Sequence, residues 1–452
     1  MEFEAYFSSL KDKKIAVLGL GVSNRPLVRL LLEFGCRVTG CDRTPREQLD
    51  EEVLELERLG CVLKVGDGYL QDLEAELVFR TPGMHPANPA LEALRQKGAE
   101  VTSEMEAFFR VCPCKILAVT GSDGKTTTTT LISEMLKAEG KTVWLGGNIG
   151  TPLLNKVRQM GKEDIAVVEL SSFQLMDMHY SPCVAVVTNL APNHLDVHKD
   201  MDEYVWAKQN IFRYQTRDDL LVLNADNAIT DAFSGCGRVR RFSRQKRVDG
   251  VWLDGETIRR DDAAVLNIHD ILLPGVHNIE NYMAAMLAVE GMVSDETIRR
   301  VAASFGGVEH RIELVRIKDG VRFYNDSIAS SPSRTIAGLR SFPEQVILIA
   351  GGYDKHIPFD VLGPEVCKHV KRLYLTGATA QKIYDAVVNC PAYAEGKPEI
   401  FVIDDFTETV HAAAASAREG DVVLLSPACA AFDKFKNFMV RGKFFKKLVQ
   451  EL

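Results

Sequence analysis

Short apolar runs alternate with helix-like stretches along all 452 residues, and this alternation predicts an α/β chain built on mostly parallel sheets. Two further observations sharpen the prediction. A glycine-rich turn follows an apolar run twice, at residues 19–24 and 121–126, and the length suggests about three domains rather than one. The expected division is a Rossmann-like domain over residues 1–111, a central phosphate-loop domain over 112–310 and a second Rossmann-like domain over 311–452.

In the first segment, the apolar run 15–18 leads into Gly19-Leu-Gly21-Val-Ser23-Asn24. A helix pattern (Leu27, Leu30, Leu31, Phe34) and a second strand at 38–41, ending at Asp42, follow. An acid about twenty residues after a glycine pair is the arrangement of dinucleotide folds. The third glycine is missing, because Asn24 stands in its place, so the motif fits any nucleotide-diphosphate group. A later run at 76–79 reaches the loop Thr81-Pro82-Gly83.

The central segment carries the most telling stretch. An apolar run at 116–119 ends at Gly121; Gly124, Lys125 and Thr126 follow, then a helix pattern at Leu131, Ile132, Met135 and Leu136. Strand, glycine loop and helix N-terminus in that order make an anion cradle, since helix N–H groups and the helix dipole both favour negative charge. Lys125 would reach terminal phosphates and the Thr126 hydroxyl a Mg²⁺ ion, as in P-loop ATPases, although the spacing between glycines is two residues shorter than the usual loop. Strands are expected at 165–168, 184–187 and 220–223; the first is followed by Glu169 and the second leads to Asn189 and His194. In the third segment, strands are expected at 346–350, 373–375, 400–403 and 422–425, with helices at 378–388 and 408–418 between them.

Composition narrows the class. Hydrophobic residues make up 46%, enough for several cores, and the formal charge of −8 argues against a general nucleic-acid surface. The basic stretch 238–247 reads as a solvated loop or strand edge. No apolar run reaches transmembrane length and the start lacks a basic and then apolar leader, so a cytoplasmic protein without membrane insertion is expected. The ten cysteines are scattered; Cys112 and Cys114 have no matching second pair, which favours buried free thiols over zinc.

Several segments together carry a family resemblance. They are Thr120-Gly-Ser-Asp-Gly-Lys-Thr126, Gly146-Gly-Asn148-Ile-Gly150, Glu169-Leu-Ser-Ser-Phe-Gln174, Asn193-His194, Ala207-Lys208 and Leu273-Pro-Gly-Val-His277-Asn278. His310-Arg311, Asn325-Asp326-Ser327, Ser426-Pro-Ala-Cys-Ala430 and Phe435-Lys-Asn-Phe438 complete the set. In this order they resemble the Mur ligases, ATP-dependent amide-forming enzymes of peptidoglycan synthesis, across essentially the whole chain. The segments at 169–174 and 426–430 look like those of members that add D-glutamate to UDP-N-acetylmuramoyl-L-alanine.

The resemblance implies roles residue by residue. ATP meets Gly121, Ser122, Asp123, Gly124, Lys125, Thr126 and Thr127, with Asn278, Asn281, Arg311 and Asp326 beyond them. Thr126 and Glu169 hold one Mg²⁺; His194 and Lys208, the latter carbamylated by CO₂, hold a second. The UDP-sugar substrate meets Val22, Ser23, Asp42, Arg43, Thr81 and Gly83, then Asn148, Ser171 and Gln174. D-Glutamate meets Ser330, Lys355, Ser426, Ala431, Phe432 and Phe438. Lys125, Glu169, His194, Lys208 and Lys355 carry the catalysis, in a monomer.

Three positions depart from the family pattern. Ile328 stands where many relatives have lysine, Asp123 replaces a common asparagine, and Asn193 replaces a frequent acid. Other classes remain open at this level. A folylpolyglutamate synthase would lack the first Rossmann-like segment, and the alanine-adding Mur ligase differs around Glu169 and Ser426. An NAD-linked oxidoreductase leaves Lys125, Glu169 and Lys208 unexplained, and a non-catalytic nucleotide-binding regulator would keep the motifs without turnover.

Overall fold

The computed structural model describes residues 2–194, 197–273, 275–355 and 357–452. The chain forms two compact units, Met1–His269 with Ile279–Val301, and Asp270–Asn278 with Ala302–Leu452. Both are α/β, and their sheets are mostly parallel.

The first unit holds two sheets. One is wholly parallel and consists of β1 (Lys14–Leu18), β2 (Arg37–Asp42), β3 (Val62–Val65), β4 (Leu77–Arg80) and β5 (Glu100–Thr102), in the order β3-β2-β1-β4-β5. The run 15–18 is buried from end to end, as a strand covered on both faces must be. Helix Asn24–Glu33 turns Leu27, Val28, Leu30 and Leu31 onto it, the spacing of one helical face.

The other sheet has nine strands: β6 (Lys115–Thr120), β7 (Val143–Gly147), β8 (Ile165–Glu169), β9 (Val184–Val187), β10 (Leu220–Asn224), β11 (Arg238–Ser243), β12 (Gly250–Asp254), β13 (Thr257–Arg260) and β14 (Ala263–Asn267). Their order is β14-β13-β12-β11-β10-β9-β6-β8-β7, so the buried strand β6 lies between β8 and β9. The last three strands form an antiparallel meander on a parallel body. This corrects the reading of the basic stretch as an edge or loop: β11 is an interior strand. Arg240 on it lies 3.0 Å from each of Asp249, Asp261 and Glu290, so its charge is met within the unit.

The second unit holds β15 (Glu313–Lys318), β16 (Val321–Asn325), β17 (Val346–Ala350), β18 (Val370–Leu375), β19 (Glu399–Val402) and β20 (Val422–Leu425), ordered β15-β16-β20-β17-β18-β19. Only β15 runs antiparallel to its neighbour. The C-terminal helix Phe438–Glu451, capped by the Asn437 side chain accepting from Val440 N–H, seals one face with Phe445, Leu448 and Val449. Its Arg441 is buried and donates to the backbone of Ser327, Cys429 and Ala430, tying β16 and β20 loops together.

All ten cysteines are free, and Cys236 is exposed rather than buried as composition suggested. Among the described residues, no helix is long and apolar enough to cross a membrane.

Helix Glu104–Val111 begins with a buried carboxyl. Ser103 caps the helix by accepting from Glu106 N–H, a contact worth about 1 kcal/mol. Glu104 itself packs inward with its Oε1 unpartnered, and burial pushes its carboxyl up to about 7 against one hydrogen bond from the Leu154 backbone. A carboxyl raised on folding favours the native state fully below its unfolded value of about 4.5 and loses that contribution as pH climbs to about 7. Glu104→Gln should therefore be more stable than wild type at pH 8, with the difference closing at pH 4. Urea unfolding at the two pH values checks this.

Candidate active site

In open parallel sheets, ligands gather beyond the carboxyl ends of strands where the order switches direction. In the nine-stranded sheet that point is the end of β6, flanked by the ends of β8 and β9.

The loop leaving β6 is braced on the β9 side. Ser122 N–H donates to the Asn189 carbonyl at 2.8 Å, Asp123 N–H to Asn189 Oδ1 at 3.0 Å, and Thr188 Oγ1 to the Asp123 carbonyl at 2.6 Å. The Ser122 hydroxyl lies 2.9 Å from the Tyr204 hydroxyl. Gly121 has φ +145°, and a Cβ there would sit 1.9 Å from Thr188 Oγ1, so only glycine lets the chain pass. Gly124 (φ +77°) is the N-cap of helix Lys125–Ala138 and has no side chain with which to cap it. The first helical N–H groups are thereby left to an anion. Lys125 Nζ reaches back over the loop to the carbonyls of Gly121 (2.9 Å) and Ser122 (2.8 Å). Thr126 is half-buried, Thr127 is buried, and the Asp123 residue is exposed. Asn281 packs against the loop: its Oδ1 accepts from Thr128 Oγ1, and a Cβ on Gly124 would lie 2.4 Å from that oxygen.

On the β8 side, Glu169 is 1% exposed. Its Oε1 accepts from Asn148 Nδ2 at 2.7 Å, whereas Oε2 is buried without a hydrogen-bond partner. A bare buried carboxylate oxygen is costly. A hard cation would satisfy it, with the Thr126 hydroxyl as a second oxygen donor, so these residues fit Mg²⁺.

Helix Met201–Arg213 brings Lys208 to the same place. Asp200 caps the helix by accepting from Glu203 N–H, and Tyr204, Ala207, Lys208 and Ile211 form its inner face. The Lys208 amine is buried and donates to Thr120 Oγ1 (3.0 Å) and the Gly121 carbonyl (2.9 Å). Burial, reinforced by the charge of Lys125, holds this amine well below the ordinary lysine range, while Glu169 pulls the other way. His194 is exposed at φ +55°; its ring centroid lies 5.1 Å from that of Phe173, which stacks at 5.3 Å on buried His198. Phe173 belongs to helix Ser172–Leu175, closed by a capping box in which Gln174 Oε1 accepts from the Ser171 N–H and hydroxyl.

The five-stranded sheet offers a second switch point, between β1 and β4. Asn24 explains the missing glycine: its Nδ2 donates to the carbonyls of Leu18 and Gly19 and knits the turn. Burial pushes the Asp42 carboxyl up, but N–H groups of Leu20 (2.8 Å) and Thr44 (2.9 Å) outweigh it and hold the group below its usual value. Val22 and Arg43 are exposed; Ser23 and Gly83 are exposed beside them, and Thr81 is half-buried.

In the second unit, Asp326 is buried at the end of β16. It accepts from the Ser426 hydroxyl at 2.7 Å, and burial raises its carboxyl to about 7. That hydroxyl also lies 2.9 Å from Thr335 Oγ1 and is fully buried. Ser426 thus ties the loop after β20 to Asp326 and to Thr335. Ala431 is likewise buried, whereas Lys355 and Phe432 are exposed and Ser330, Arg311 and Phe438 half-buried. Asn278 is buried.

Residues 119–289 match the Mur ligase middle domain, and residues 310–429 match the Mur ligase glutamate ligase domain. The chain belongs to the Mur ligase family. Curated relatives named UDP-N-acetylmuramoylalanine–D-glutamate ligase include one from Clostridium kluyveri, 48% identical over 100% of this chain and 99% of its own. Another, from Acetivibrio thermocellus, is 51% identical over 98% of this chain and 97% of its own. Among solved structures, a UDP-N-acetylmuramate–alanine ligase from Thermotoga maritima shares the fold at TM-score 0.57 and 18% identity, covering 97% of this chain and 99% of that one. A UDP-N-acetylmuramoyl-L-alanyl-D-glutamate–2,6-diaminopimelate ligase matches at TM-score 0.56 and 18% identity, covering 98% and 94%.

Motif reading of this Mur ligase missed Thr188 and Tyr204. Thr188 directly follows the apolar run 184–187 and had that signal; Tyr204 had none. Gly121→Ala should displace the loop from Thr188 and cost about a hundredfold in turnover with folded protein, read from kcat and far-UV circular dichroism.

Proposed function

We propose that this Mur ligase joins D-glutamate to UDP-N-acetylmuramoyl-L-alanine, with ATP cleaved to ADP and phosphate, as a cytoplasmic monomer in peptidoglycan precursor synthesis. The reading is carried by full-length likeness, at 48–51% identity, to curated D-glutamate ligases. The layout we infer is three domains, one around each sheet.

A carboxylate is a poor acyl donor because its leaving group would be oxide. Transfer of the γ-phosphoryl group to the substrate's carboxylate gives an acyl phosphate; the D-glutamate amine then displaces phosphate and forms the amide. Two anions must meet first, so positive charge and N–H donors are worth most as the phosphoryl group moves. Lys125 and the N–H groups that open helix Lys125–Ala138 would supply both. Thr126 and Glu169 would hold Mg²⁺, which supplies charge neutralisation when bound; the unpartnered Glu169 Oε2 supports this assignment.

Lys208 as an ammonium could not serve a cation. Its buried amine, held well below the ordinary lysine range, would instead act in its neutral form as a nucleophile toward CO₂: R–NH₂ + CO₂ gives R–NH–COO⁻ and H⁺. The carbamate, with His194, would suit a second Mg²⁺. We assign Val22, Ser23, Asp42, Arg43, Thr81 and Gly83 to the UDP-sugar, with Asn148, Ser171 and Gln174 toward its carboxylate end. Asn278, Asn281, Arg311 and Asp326 serve the nucleotide. Lys355, Ser330, Ser426, Ala431, Phe432 and Phe438 serve D-glutamate.

Phosphate release should require both UDP-N-acetylmuramoyl-L-alanine and D-glutamate; turnover with L-alanine and the unsubstituted UDP-sugar would instead identify the alanine-adding enzyme. Lys125→Ala should lower kcat far more than KM. Lys208→Ala should lose most activity and regain part of it in acetate, which offers the same oxygens; near-wild-type turnover without acetate would sink the second metal site.

A further inference from the structure

Arg80 ends β4, and its side chain is wholly buried. A guanidinium is expensive to bury unless every donor is used, and here the donors are used on two sides at once. On one side, Nη1 donates to the carbonyls of Thr81 (3.1 Å) and Met84, so that the loop Thr81-Pro82-Gly83-Met84 wraps the group. On the other, Nε donates to Asp177 Oδ2 at 3.0 Å, Nη2 to Asp177 Oδ1, and Nη2 also to the Phe173 carbonyl at 3.1 Å. Phe173 lies in the short helix Ser172–Leu175 and Asp177 two residues past its end.

Each end of this strut reaches a proposed substrate position. Thr81 packs on the glycine turn, where a Cβ on Gly19 would lie 2.9 Å from the Thr81 side chain. The Phe173 ring packs on His194, and the helix sets Ser171 and Gln174 through its capping box. A second contact runs parallel: His85, just past the same loop, lies 3.3 Å from Glu203 on the helix that carries Lys208.

We propose that Arg80 is a positioning residue that fixes the register of the nucleotide-sugar loop against helix Ser172–Leu175, so that the bound substrate's carboxylate meets the phosphate loop. The proposal rests on the reading of residues 81–83 as part of the UDP-sugar site. Lysine would keep the charge but lacks the planar fork that reaches Asp177 and both sets of carbonyls together.

The test uses the full-length enzyme with Arg80→Lys and, as a milder change that keeps the buried cation, Asp177→Asn. UDP alone should bind both variants within about twofold of wild type, since the first sheet holds it. Per folded molecule, kcat should fall about a hundredfold in Arg80→Lys and about tenfold in Asp177→Asn, with the KM for ATP unchanged. Both variants folded with wild-type kcat, or a loss accounted for entirely by unfolded protein, would overturn the role of Arg80 while UDP binding stands. Wild-type enzyme that fails to bind UDP would overturn the loop reading, and this proposal with it.

Discussion

Burying the Lys208 amine against the phosphate loop is the constraint around which the first unit is arranged. An isolated ammonium in that position would cost several kcal/mol, so the site must either strip its proton or answer its charge. The surroundings favour the first: burial excludes water and Lys125 repels, against the pull of Glu169, while the amine donates to a hydroxyl and a carbonyl. Strand β6 must then lie between β8 and β9, because Thr120 and Gly121 hold the amine while Glu169 and Thr188 stand at the ends of the neighbouring strands.

The same constraint explains the density of small contacts around Gly121. A loop that leaves the N–H groups of its helix end to an anion cannot also spend those on itself, so the N–H groups of Ser122 and Asp123, with the loop's carbonyls and side chains, must fix it instead. Thr188 takes the Asp123 carbonyl, Lys125 takes those of Gly121 and Ser122, and Tyr204 reaches the Ser122 hydroxyl. Tyr204 and Lys208 lie four residues apart on one helix, hence on one face, so one element both braces the loop and delivers the amine.

Strand-loop-helix order was legible in the sequence wherever an apolar run ended at a glycine or a carboxylate. Strands β1, β6, β8, β9, β10, β17 and β20 begin and end within a residue or so of the apolar runs, because each is buried on both faces and reads as a continuous block. The half-exposed strands β3, β7 and β15 carry no such block and were not read. Within the site, residues with a chemical signature were legible and their supports were not. Lys125 and Glu169 stand out by type; Arg80 acquires its role only when Asp177, 97 residues away, folds against it. Ser426 is marked by its motif, and what the sequence did not show is its partner: its hydroxyl donates to Asp326, one hundred residues earlier.

The family departures follow the same logic of charge placed by folding rather than by position. Asp123 would repel phosphate if it faced the helix N-terminus, and the structure leaves that residue exposed. Ile328 removes a cation from the loop after β16. Arg334, six residues on, donates from Nη1 to the Ile328 carbonyl at 3.2 Å. Burial drives the Asp326 carboxyl upward, and the charges of Arg311 and Arg334 both act to lower it. A positive charge therefore stands beside Asp326 without a lysine at 328. Because a guanidinium is charged at any physiological pH, Arg334 keeps the local field positive from the N-terminal turn of helix Pro332–Leu339.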